Sequence, residues 1–333
     1  MEMQPVDEGI LLTIAIPTYN RSKCLDMCLA QIWEQLRDRS LPVEILVSDN
    51  NSTDDTREVI SRYQARGFEI RYSKNQENIG ADCNFIQCLQ LARGKYFLLF
   101  GDDDVFLDGS IEKLVKVLQT GEYGVVFMKS FGFTAEEDIV LNRPQSKEQR
   151  NQVYDDLGKY LREVHYWVTF ISANVINRTL IDKRINLEEF VGTCLLQLSW
   201  TLPAILRGER NVVIHDVMFA ARADNTGGYA LCQVFGVNFN RVFDVFINLG
   251  YDKRYFDLIN RKLLTSFFPY HLLKLRGSDN KFADEEFVDV LKPVFKGYIQ
   301  FWLFTVPIIK LPLGLAKGWF LAMRVINKFY KIF

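Results

Sequence analysis

Three consecutive aspartates stand close behind an apolar run at residues 96–100: Asp102, Asp103 and Asp104. Such a run is typical of a buried strand, so its end concentrates negative charge beside the core. Adjacent carboxylates repel one another, which raises their pKa values unless a cation relieves the repulsion. Mg²⁺ and similar ions take carboxylate oxygens and usually share the site with substrate phosphates. For an isolated triplet, a solvated turn before the next helix is the competing interpretation.

Two other polar stretches end apolar runs in the same way. Residues 11–16 lead into Pro17-Thr18-Tyr19-Asn20-Arg21, and residues 43–47 lead into Ser48-Asp49-Asn50-Asn51-Ser52. Segments with helical spacing of apolar residues separate the runs, and this alternation predicts a mostly parallel α/β sheet covered on both faces. Because ligands of such sheets bind beyond the carboxyl ends of the strands, we expect the three polar stretches to share one edge. The predicted strands are residues 11–16, 43–47, 68–72, 96–100 and 124–128, and the predicted helices are residues 24–36, 54–66, 79–91 and 107–119.

The composition excludes several classes of protein. The chain has 333 residues, of which 48% are hydrophobic, so low-complexity disorder is not expected. Its 40 basic and 41 acidic residues give no bulk signal for a nucleic-acid partner. Residues 1–9 lack the features of a signal peptide, and the six cysteines form no C-x-x-C pair. We therefore expect reduced, mostly buried thiols and a cytoplasmic location.

The motifs of three other classes of site are absent or incomplete. No G-x-G-x-x-G follows the first predicted strand, and no G-x-x-x-x-G-K-[ST] occurs, which argues against dinucleotide-binding and P-loop sites. Residues 49–60 differ from a calcium loop, because they lack Gly at the sixth position and Glu at the twelfth. A phosphotransferase with Asp102 as nucleophile and Asp104 as acid remains an alternative.

The polar motifs together resemble those of a known family. Residues 14–21 (IAIPTYNR), 47–54 (VSDNNSTD), 78–80 (NIG) and 101–104 (GDDD) resemble, in this order, the signatures of family 2 glycosyltransferases with the GT-A fold. The resemblance covers roughly residues 10–130. Within the family, the length, the G-D-D-D form and the basic aromatic tail are most similar to O-antigen abequosyltransferases.

This resemblance implies a Rossmann-like GT-A fold and a metal-dependent, hexosyltransferase-type reaction. A sugar would pass from a nucleotide-diphosphate donor to a hydroxyl of a glycan. CDP-abequose, which would supply abequose, is one such donor. The resemblance implies that Asp102 and Asp104 are catalytic and hold Mn²⁺ or Mg²⁺ on the diphosphate, and that Asp49 accepts a hydrogen bond from the base. The residues that it places around the donor are Pro17, Thr18, Tyr19, Asn20, Asp49, Gly80, Asn84 and Asp103.

The general base of an inverting reaction is not identified by the sequence. The segment comparable to the family's Glu-Asp pair, residues 190–196, contains no carboxylate. The candidates nearby are Glu188, Glu189, Asp216 and Asp224, and a retaining reaction without such a base stays open. His215 is a candidate late metal ligand, and Arg222, Asp224 and Asn225 are candidate phosphate or acceptor contacts.

The last third of the chain has a distinct composition. Residues 291–333 contain no acidic residue, while seven Lys and Arg residues alternate with aromatic ones. The longest uncharged run, residues 297–309, is too short to span a bilayer. This pattern predicts helices that lie on an anionic membrane surface, against the alternative of a helical tail packed in the core.

The sequence thus predicts a donor-binding GT-A half (residues 1–130), an acceptor-binding half (131–230) and a helical region with a basic aromatic tail (231–333). The predicted protein is peripheral on the cytoplasmic face of the inner membrane and glycosylates a glycan or lipid-linked oligosaccharide in O-antigen or other bacterial surface polysaccharide synthesis. No nucleic-acid partner is expected. A catalytically inactive relative that binds a nucleotide sugar or a glycan, and a metal-dependent phosphotransferase, are the alternatives.

Overall fold

The computed structural model describes residues 3–141, 150–223, 230–276 and 287–330. Strands and helices alternate through the first part of the chain, as predicted, and helices alone follow the last strand. The strands are β1 (Leu12–Thr18), β2 (Val43–Asp49), β3 (Ile70–Lys74), β4 (Tyr96–Leu99), β5 (Val105–Phe106), β6 (Val125–Phe133), β7 (Asn151–Tyr154), β8 (Asn174–Asn177) and β9 (Asn211–Arg222).

The helices of the described residues include all four that the apolar spacing predicts. These four are α1 (Ser22–Leu36), α2 (Thr56–Gln64), α3 (Ala81–Leu91) and α4 (Ser110–Gln119). The remaining helices are α5 (Glu136–Leu141), α6 (Leu157–Val164), α7 (Leu198–Arg207), α8 (Phe239–Asn248), α9 (Lys253–Lys262), α10 (Phe268–Leu275), α11 (Phe287–Phe295), α12 (Val306–Lys310) and α13 (Leu313–Tyr330).

A single mixed sheet contains the nine strands of the described chain. Its order is β3-β2-β1-β4-β8-β6-β9-β5, and β7 pairs with β9 outside this path. The four strands β3, β2, β1 and β4 are parallel, as predicted, whereas β8 is antiparallel to both of its neighbours. The parallel half places the carboxyl ends of β1, β2 and β4 at one edge, which is where the three polar stretches begin.

Pro17 does not end the first strand, contrary to the sequence prediction. Strand β1 continues through Pro17, which pairs with Ser48 of β2. The carbonyl of Ala15 accepts a hydrogen bond from the N–H of Phe100, so the backbone nitrogen of Pro17, two residues on, faces the same side. Pairing with β4 ends at Ala15. The missing N–H of Pro17 therefore costs no ladder hydrogen bond.

The helix after the aspartates starts three residues later than predicted. Residues 105–106 form the short strand β5, which pairs antiparallel with β9 at Phe219 and Ala220. Gly109 then takes a left-handed conformation, φ 75°, and α4 begins at Ser110. Glycine adopts this conformation more readily than any other residue, so Gly109 suits the turn between β5 and α4.

The chain forms two compact units. The first contains the whole sheet and comprises Met1–Leu157, Trp167–Gly192 and Leu196–Thr226. The second comprises Gly158–Tyr166, Thr193–Leu195 and Gly227–Phe333. Its core includes stacked phenylalanines, with 4.8 Å between the ring centroids of Phe243 and Phe256. Among the helices described, none combines the length and the apolarity that a bilayer crossing requires.

Candidate active site

The loops after β1 and β2 are hydrogen-bonded into one structure. The N–H of Asn20 donates to Ser52 Oγ at 2.9 Å, and the N–H of Thr53 donates to Asn20 Oδ1 at 2.8 Å. Asn20 and Asn51 have positive φ angles of 52° and 66°. Asparagine tolerates this conformation better than most residues, so the sequence suits both turns.

The three aspartates lie in the loop between β4 and β5, and all are buried, between 3% and 6% exposed. Thr18 Oγ1 donates a hydrogen bond of 2.7 Å to Asp102 Oδ2. The guanidinium of Arg21 donates to Asp102 Oδ1 at 2.8 Å and to Asp103 Oδ2 at 2.5 Å. Asp104 Oδ1 accepts the N–H of Arg222, the last residue of β9, at 3.2 Å. The triplet is therefore joined to the ends of both β1 and β9.

Burial makes the negative charge of this cluster costly. It raises the pKa of Asp102 to about 6, although the Arg21 charge and the Thr18 hydrogen bond act against it. It raises the pKa of Asp104 to about 7, and the neighbouring charge of Asp103 contributes to the increase. The pKa of Arg21 is also raised; burial opposes this, and the charge of Asp102 is the main cause. The cluster thus retains excess negative charge that a further cation can neutralise.

An open cavity of about 400 Å³ lies beside the triplet. It is lined by residues from all three strand-end loops and from the start of α3. The predicted site residues at this cavity are Pro17, Thr18, Tyr19, Gly80, Asn84, Asp102 and Asp103. The lining residues that received no role from the sequence are Arg21, Asn50, Asn78, Ala81, Phe85, Gly101 and Ile171. Four of these, Arg21, Asn50, Asn78 and Gly101, lie inside the motifs quoted above, so their position beside assigned residues was the available signal.

Asp49 is buried in the loop rather than exposed to the cavity. Its Oδ1 accepts the N–H of Ser52 at 2.7 Å, and its Oδ2 accepts the hydroxyl of Tyr72 at 2.6 Å. Burial and the hydrogen bond to Asp49 raise the pKa of Tyr72 above its ordinary value. Asp49 is not among the lining residues, whereas the next residue, Asn50, is. In this structure Asp49 fixes the loop that presents Asn50, and its contact with a base stays a prediction.

Amide side chains also line the cavity. Asn50 Nδ2 donates to Asn78 Oδ1 at 2.7 Å, and Asn50 Oδ1 accepts the N–H of Ile79 at 3.0 Å. Asn84 Nδ2 donates to the carbonyl of Ser48 at 3.0 Å. These bonds attach the start of α3 to the end of β2. The lining of the cavity therefore combines carboxylates with neutral amides.

His215 and Asp216 lie within β9 rather than in a loop, and the structure does not bring His215 to the triplet. His215 Nδ1 lies 3.0 Å from Lys129 Nζ, and Nε2 lies 3.2 Å from Gln152 Oε1. Asp216 forms an ion pair with Lys113. His215 precedes Arg222 by seven strand residues, a distance of roughly 20 Å. Among the candidates His215, Asp216 and Arg222, all within the described residues, Arg222 contacts the triplet through its N–H.

The other candidates for the general base differ in position. Glu188 and Glu189 are exposed, in a single turn of 3₁₀-helix at Leu187–Glu189. The same segment is held at Gly192, whose N–H donates to Asp82 Oδ2 at 2.7 Å, and Asp82 directly follows the cavity residue Ala81. The glutamates are thus on a segment attached to the start of α3. Asp224 and Asn225 lie outside the described residues.

The carboxylate oxygens at the cavity suit a cation that is bound by protein and substrate together better than a cation that is bound by protein alone. No group of three or more His, Cys, Asp or Glu side chains in the described ranges is arranged to hold a metal ion. Asp102 and Asp103 nevertheless present buried carboxylates to the cavity. Mg²⁺ commonly binds through one or two carboxylates together with substrate phosphates and water. The arrangement is compatible with that mode of binding.

Comparison with known proteins identifies relatives of the sheet-containing part. A model of the family described as glycosyl transferase family 2 matches residues 13–183, which is 171 of the 333 residues. Abequosyltransferase RfbV of Salmonella typhimurium is 39% identical over 112 residues, 33% of this chain and 32% of its own length. The Campylobacter jejuni GalNAc(5)-diNAcBac-PP-undecaprenol beta-1,3-glucosyltransferase is 34% identical over 118 residues, 35% of this chain and 37% of its own. The matches thus span about a third of these relatives' lengths.

Solved structures agree with the fold over nearly the whole chain. S. aureus TarS 1–349 in complex with UDP superposes with a TM-score of 0.63 at 16% identity, covering 97% of this chain and 91% of TarS 1–349. The mannosyltransferase PcManGT from Pyrobaculum calidifontis, in complex with GDP-Man and Mn²⁺, gives 0.52 at 16% identity, with 99% and 90% covered. The fold is the predicted GT-A fold. Because the family model covers more than half of its residues, including every loop that lines the cavity, this chain belongs to glycosyl transferase family 2.

Proposed function

We propose that the protein transfers a sugar from a nucleotide-diphosphate donor, bound in the 400 Å³ cavity, to a hydroxyl of a glycan acceptor. One observation carries the proposal: three strand-end loops with the family's motifs meet around buried, electrostatically strained carboxylates at an open cavity. The UDP complex of TarS and the GDP-Man complex of PcManGT support a donor of this kind on this fold.

The residues of the cavity have distinct roles in this proposal. Tyr19, 43% exposed at the cavity, covers the nucleotide with its ring, and Pro17 and Thr18 border it. The amides of Asn50 and Asn84 line the same cavity. Asp49 maintains the loop through Ser52 and Tyr72, and a base that contacts Asp49 would share a carboxylate oxygen with one of these donors.

We assign the catalytic role to Asp102, Asp103 and Asp104, of which the first two line the cavity and Asp104 is the next residue in the chain. Mn²⁺ or Mg²⁺ at these carboxylates would neutralise the charge that develops on the departing nucleoside diphosphate. Thr18 orients Asp102 through its hydrogen bond, and the N–H of Arg222 orients Asp104. Both aspartates must be ionised to act, and their raised pKa values place that ionisation near neutral pH.

For an inverting reaction, Glu188 or Glu189 is the base candidate that the structure supports better than Asp216. The glutamates are exposed on the segment that Gly192 attaches to α3. Asp216 is instead paired with Lys113. If neither glutamate acts, a reaction that retains the sugar's configuration needs no such base.

We also propose that the acceptor is lipid-linked and that the second unit binds the membrane surface, as part of bacterial surface glycan synthesis. The printed name of the Campylobacter relative includes an undecaprenol-linked glycan, which supports such an acceptor. Several large apolar side chains of the tail are between 44% and 64% exposed: Ile299, Trp302, Leu303, Leu315, Leu321 and Val325. Together with the lysines and the absence of acidic residues from 291 onward, they provide an interfacial surface. Abequose as the sugar rests on the similarity to abequosyltransferase RfbV.

The proposal is tested by measuring thermal stabilisation with UDP-, GDP-, CDP- and dTDP-sugars, with and without Mn²⁺ or Mg²⁺, and the products released from the stabilising donor. We expect one donor class to raise Tm in a cation-dependent way and to yield nucleoside diphosphate. Asp104→Asn abolishes this turnover, whereas Asp38→Asn, at an exposed carboxylate, does not. Release of inorganic phosphate would favour a phosphotransferase. Binding without turnover toward any glycan acceptor or water would favour an inactive relative.

A further inference from the structure

Arg21 occupies the position that a divalent cation shared by Asp102 and Asp103 would take. One guanidinium nitrogen lies 2.8 Å from Asp102 Oδ1 and another lies 2.5 Å from Asp103 Oδ2, so a single cationic group bridges two carboxylates. The second oxygen of Asp102 already accepts the Thr18 hydroxyl. Each oxygen of Asp102 keeps a second lone pair, so a metal ion could still bind there, but it would then lie beside the positive charge of Arg21 and be repelled by it.

The backbone of Arg21 is fixed while its side chain has room to move. Its carbonyl accepts the N–H of Leu25 at 3.0 Å, and the next N–H, that of Ser22, donates to Asp54 Oδ2 at 2.8 Å. The side chain is 36% exposed and lines the same cavity as the carboxylates that it binds. The guanidinium can therefore exchange partners within the cavity by side-chain rotation alone.

The charges favour such an exchange when a donor binds. Two buried carboxylates share the guanidinium of Arg21 and a third, Asp104, is the next residue in the chain, so a diphosphate is repelled until a divalent cation is present. Once the cation is bound by the carboxylates, the guanidinium loses part of its attraction to them. A diphosphate is then its best available partner, because the planar fork of arginine matches phosphate oxygens.

We propose that Arg21 is an exchangeable counter-ion: it neutralises Asp102 and Asp103 in the donor-free protein and moves to the diphosphate when a divalent cation takes over these carboxylates. This inference rests on the proposed donor site. It gives Arg21 opposite effects on two affinities. Arginine at position 21 weakens the binding of the cation alone and strengthens the binding of a nucleoside diphosphate in the presence of the cation.

The test is calorimetric titration of metal-free protein with MnCl₂ at pH 8, followed by titration with UDP, CDP, GDP and dTDP at saturating Mn²⁺. For Arg21→Gln we expect Mn²⁺ affinity to rise about tenfold, since the variant removes a competing charge-assisted pair. We expect its nucleoside diphosphate affinity to fall by about tenfold or more. Arg21→Lys should give smaller changes of the same signs, because an ammonium has no fork to bridge two carboxylates.

Arg37→Gln is the matched control. It removes the same charge just beyond the other end of α1, where Arg37 pairs with Glu34 and Asp38, and it should change neither affinity. Thermal unfolding of each variant checks the fold. Unchanged or weaker Mn²⁺ binding by Arg21→Gln would overturn the inference, because Arg21 would then only hold the carboxylates in place. Unchanged nucleotide binding would overturn it as well.

The result also separates this inference from the proposed function. If the wild type binds a nucleoside diphosphate with Mn²⁺ while Arg21→Gln shows no gain in Mn²⁺ affinity, the donor site stands and the exchange is refuted. If no nucleoside diphosphate binds the wild type under any of these conditions, the donor site and the exchange are both refuted.

Discussion

Replacing Asp104 with asparagine should stabilise the metal-free protein while abolishing turnover. Burial raises the pKa of this carboxyl from 3.8 to about 7, so its ionised form is strongly disfavoured in the folded state. Asparagine has nearly the same shape and no charge. The substitution therefore removes an electrostatic cost that the fold bears at neutral pH, and it also removes the group that the proposed reaction needs.

The sign and size of the effect follow from the pKa. Because the folded-state pKa of Asp104 lies above the unfolded one, the protonated carboxyl contributes stability below about pH 4. This contribution is lost as the pH rises through about 7. A difference of about three pKa units corresponds to about 4 kcal/mol at pH 8. The asparagine amide cannot reproduce every hydrogen bond of the carboxylate, which costs about 2 kcal/mol. The net gain is then about 2 kcal/mol, or roughly 4–8 °C in Tm.

The measurement is calorimetry of wild type and Asp104→Asn in EDTA between pH 4 and pH 8. The difference in Tm should be small or reversed at pH 4 and should grow in favour of the variant up to pH 8. Asp38→Asn, at an exposed aspartate on the same unit, should show no such growth. A variant that is destabilised equally at pH 5 and pH 8 would refute the reasoning, because Asp104 would then be stabilised as an anion in the fold.

Four other outcomes are expected. Mn²⁺ without nucleotide should raise the Tm of the wild type at pH 8 but not at pH 5, where Asp102 and Asp104 are protonated; equal shifts at both values would contradict this. Glu44→Gln should cost about 3 kcal/mol at pH 7, since it breaks a buried, charged hydrogen-bond network. That network lowers the pKa of Glu44 despite its burial, so the stability that the Glu44 carboxylate contributes is present above about pH 4.5. In urea titrations, the difference in stability between wild type and variant should therefore shrink as the pH falls below that value. Leu321→Asp should reduce co-sedimentation with anionic vesicles, whereas Val6→Asp, at an exposed residue of the first unit, should not; an equal loss in both would point to misfolding. If the reaction is inverting, Glu188→Gln or Glu189→Gln should lower kcat at least a hundredfold with little change in donor binding, and normal rates in both would exclude these residues as the base.

The parallel half of the sheet was predictable from sequence because its strands are short apolar runs separated by helices of regular spacing. Strand β9 was not, since His215 and Asp216 interrupt its apolar residues and resemble a polar loop. Their partners, Lys129 and Lys113, lie more than eighty residues earlier in the chain. Only the three-dimensional structure, in which β9 pairs with β6 and Lys113 of α4 contacts Asp216, shows that His215 and Asp216 lie inside a strand.

The site shows the same limit at the level of side chains. The sequence indicates which loops meet, because that depends on strand direction alone. It does not indicate that Asp49 is enclosed by Ser52 and Tyr72, or that Arg21 is paired with the triplet. Both facts depend on rotamers and on partners supplied by other loops.

These partnerships also determine how much the cavity must change when a donor binds. The loops after β1 and β2 are linked through Asn20, Ser52 and Thr53, and the start of α3 is linked to β2 through Asn84. Ordering a backbone costs about 1–2 kcal/mol per residue, and here that cost is met during folding rather than on binding. The remaining adjustments are side-chain rotations, chiefly that of Arg21. If the proposed exchange of Arg21 holds, donor affinity should therefore depend more on the cation than on loop closure.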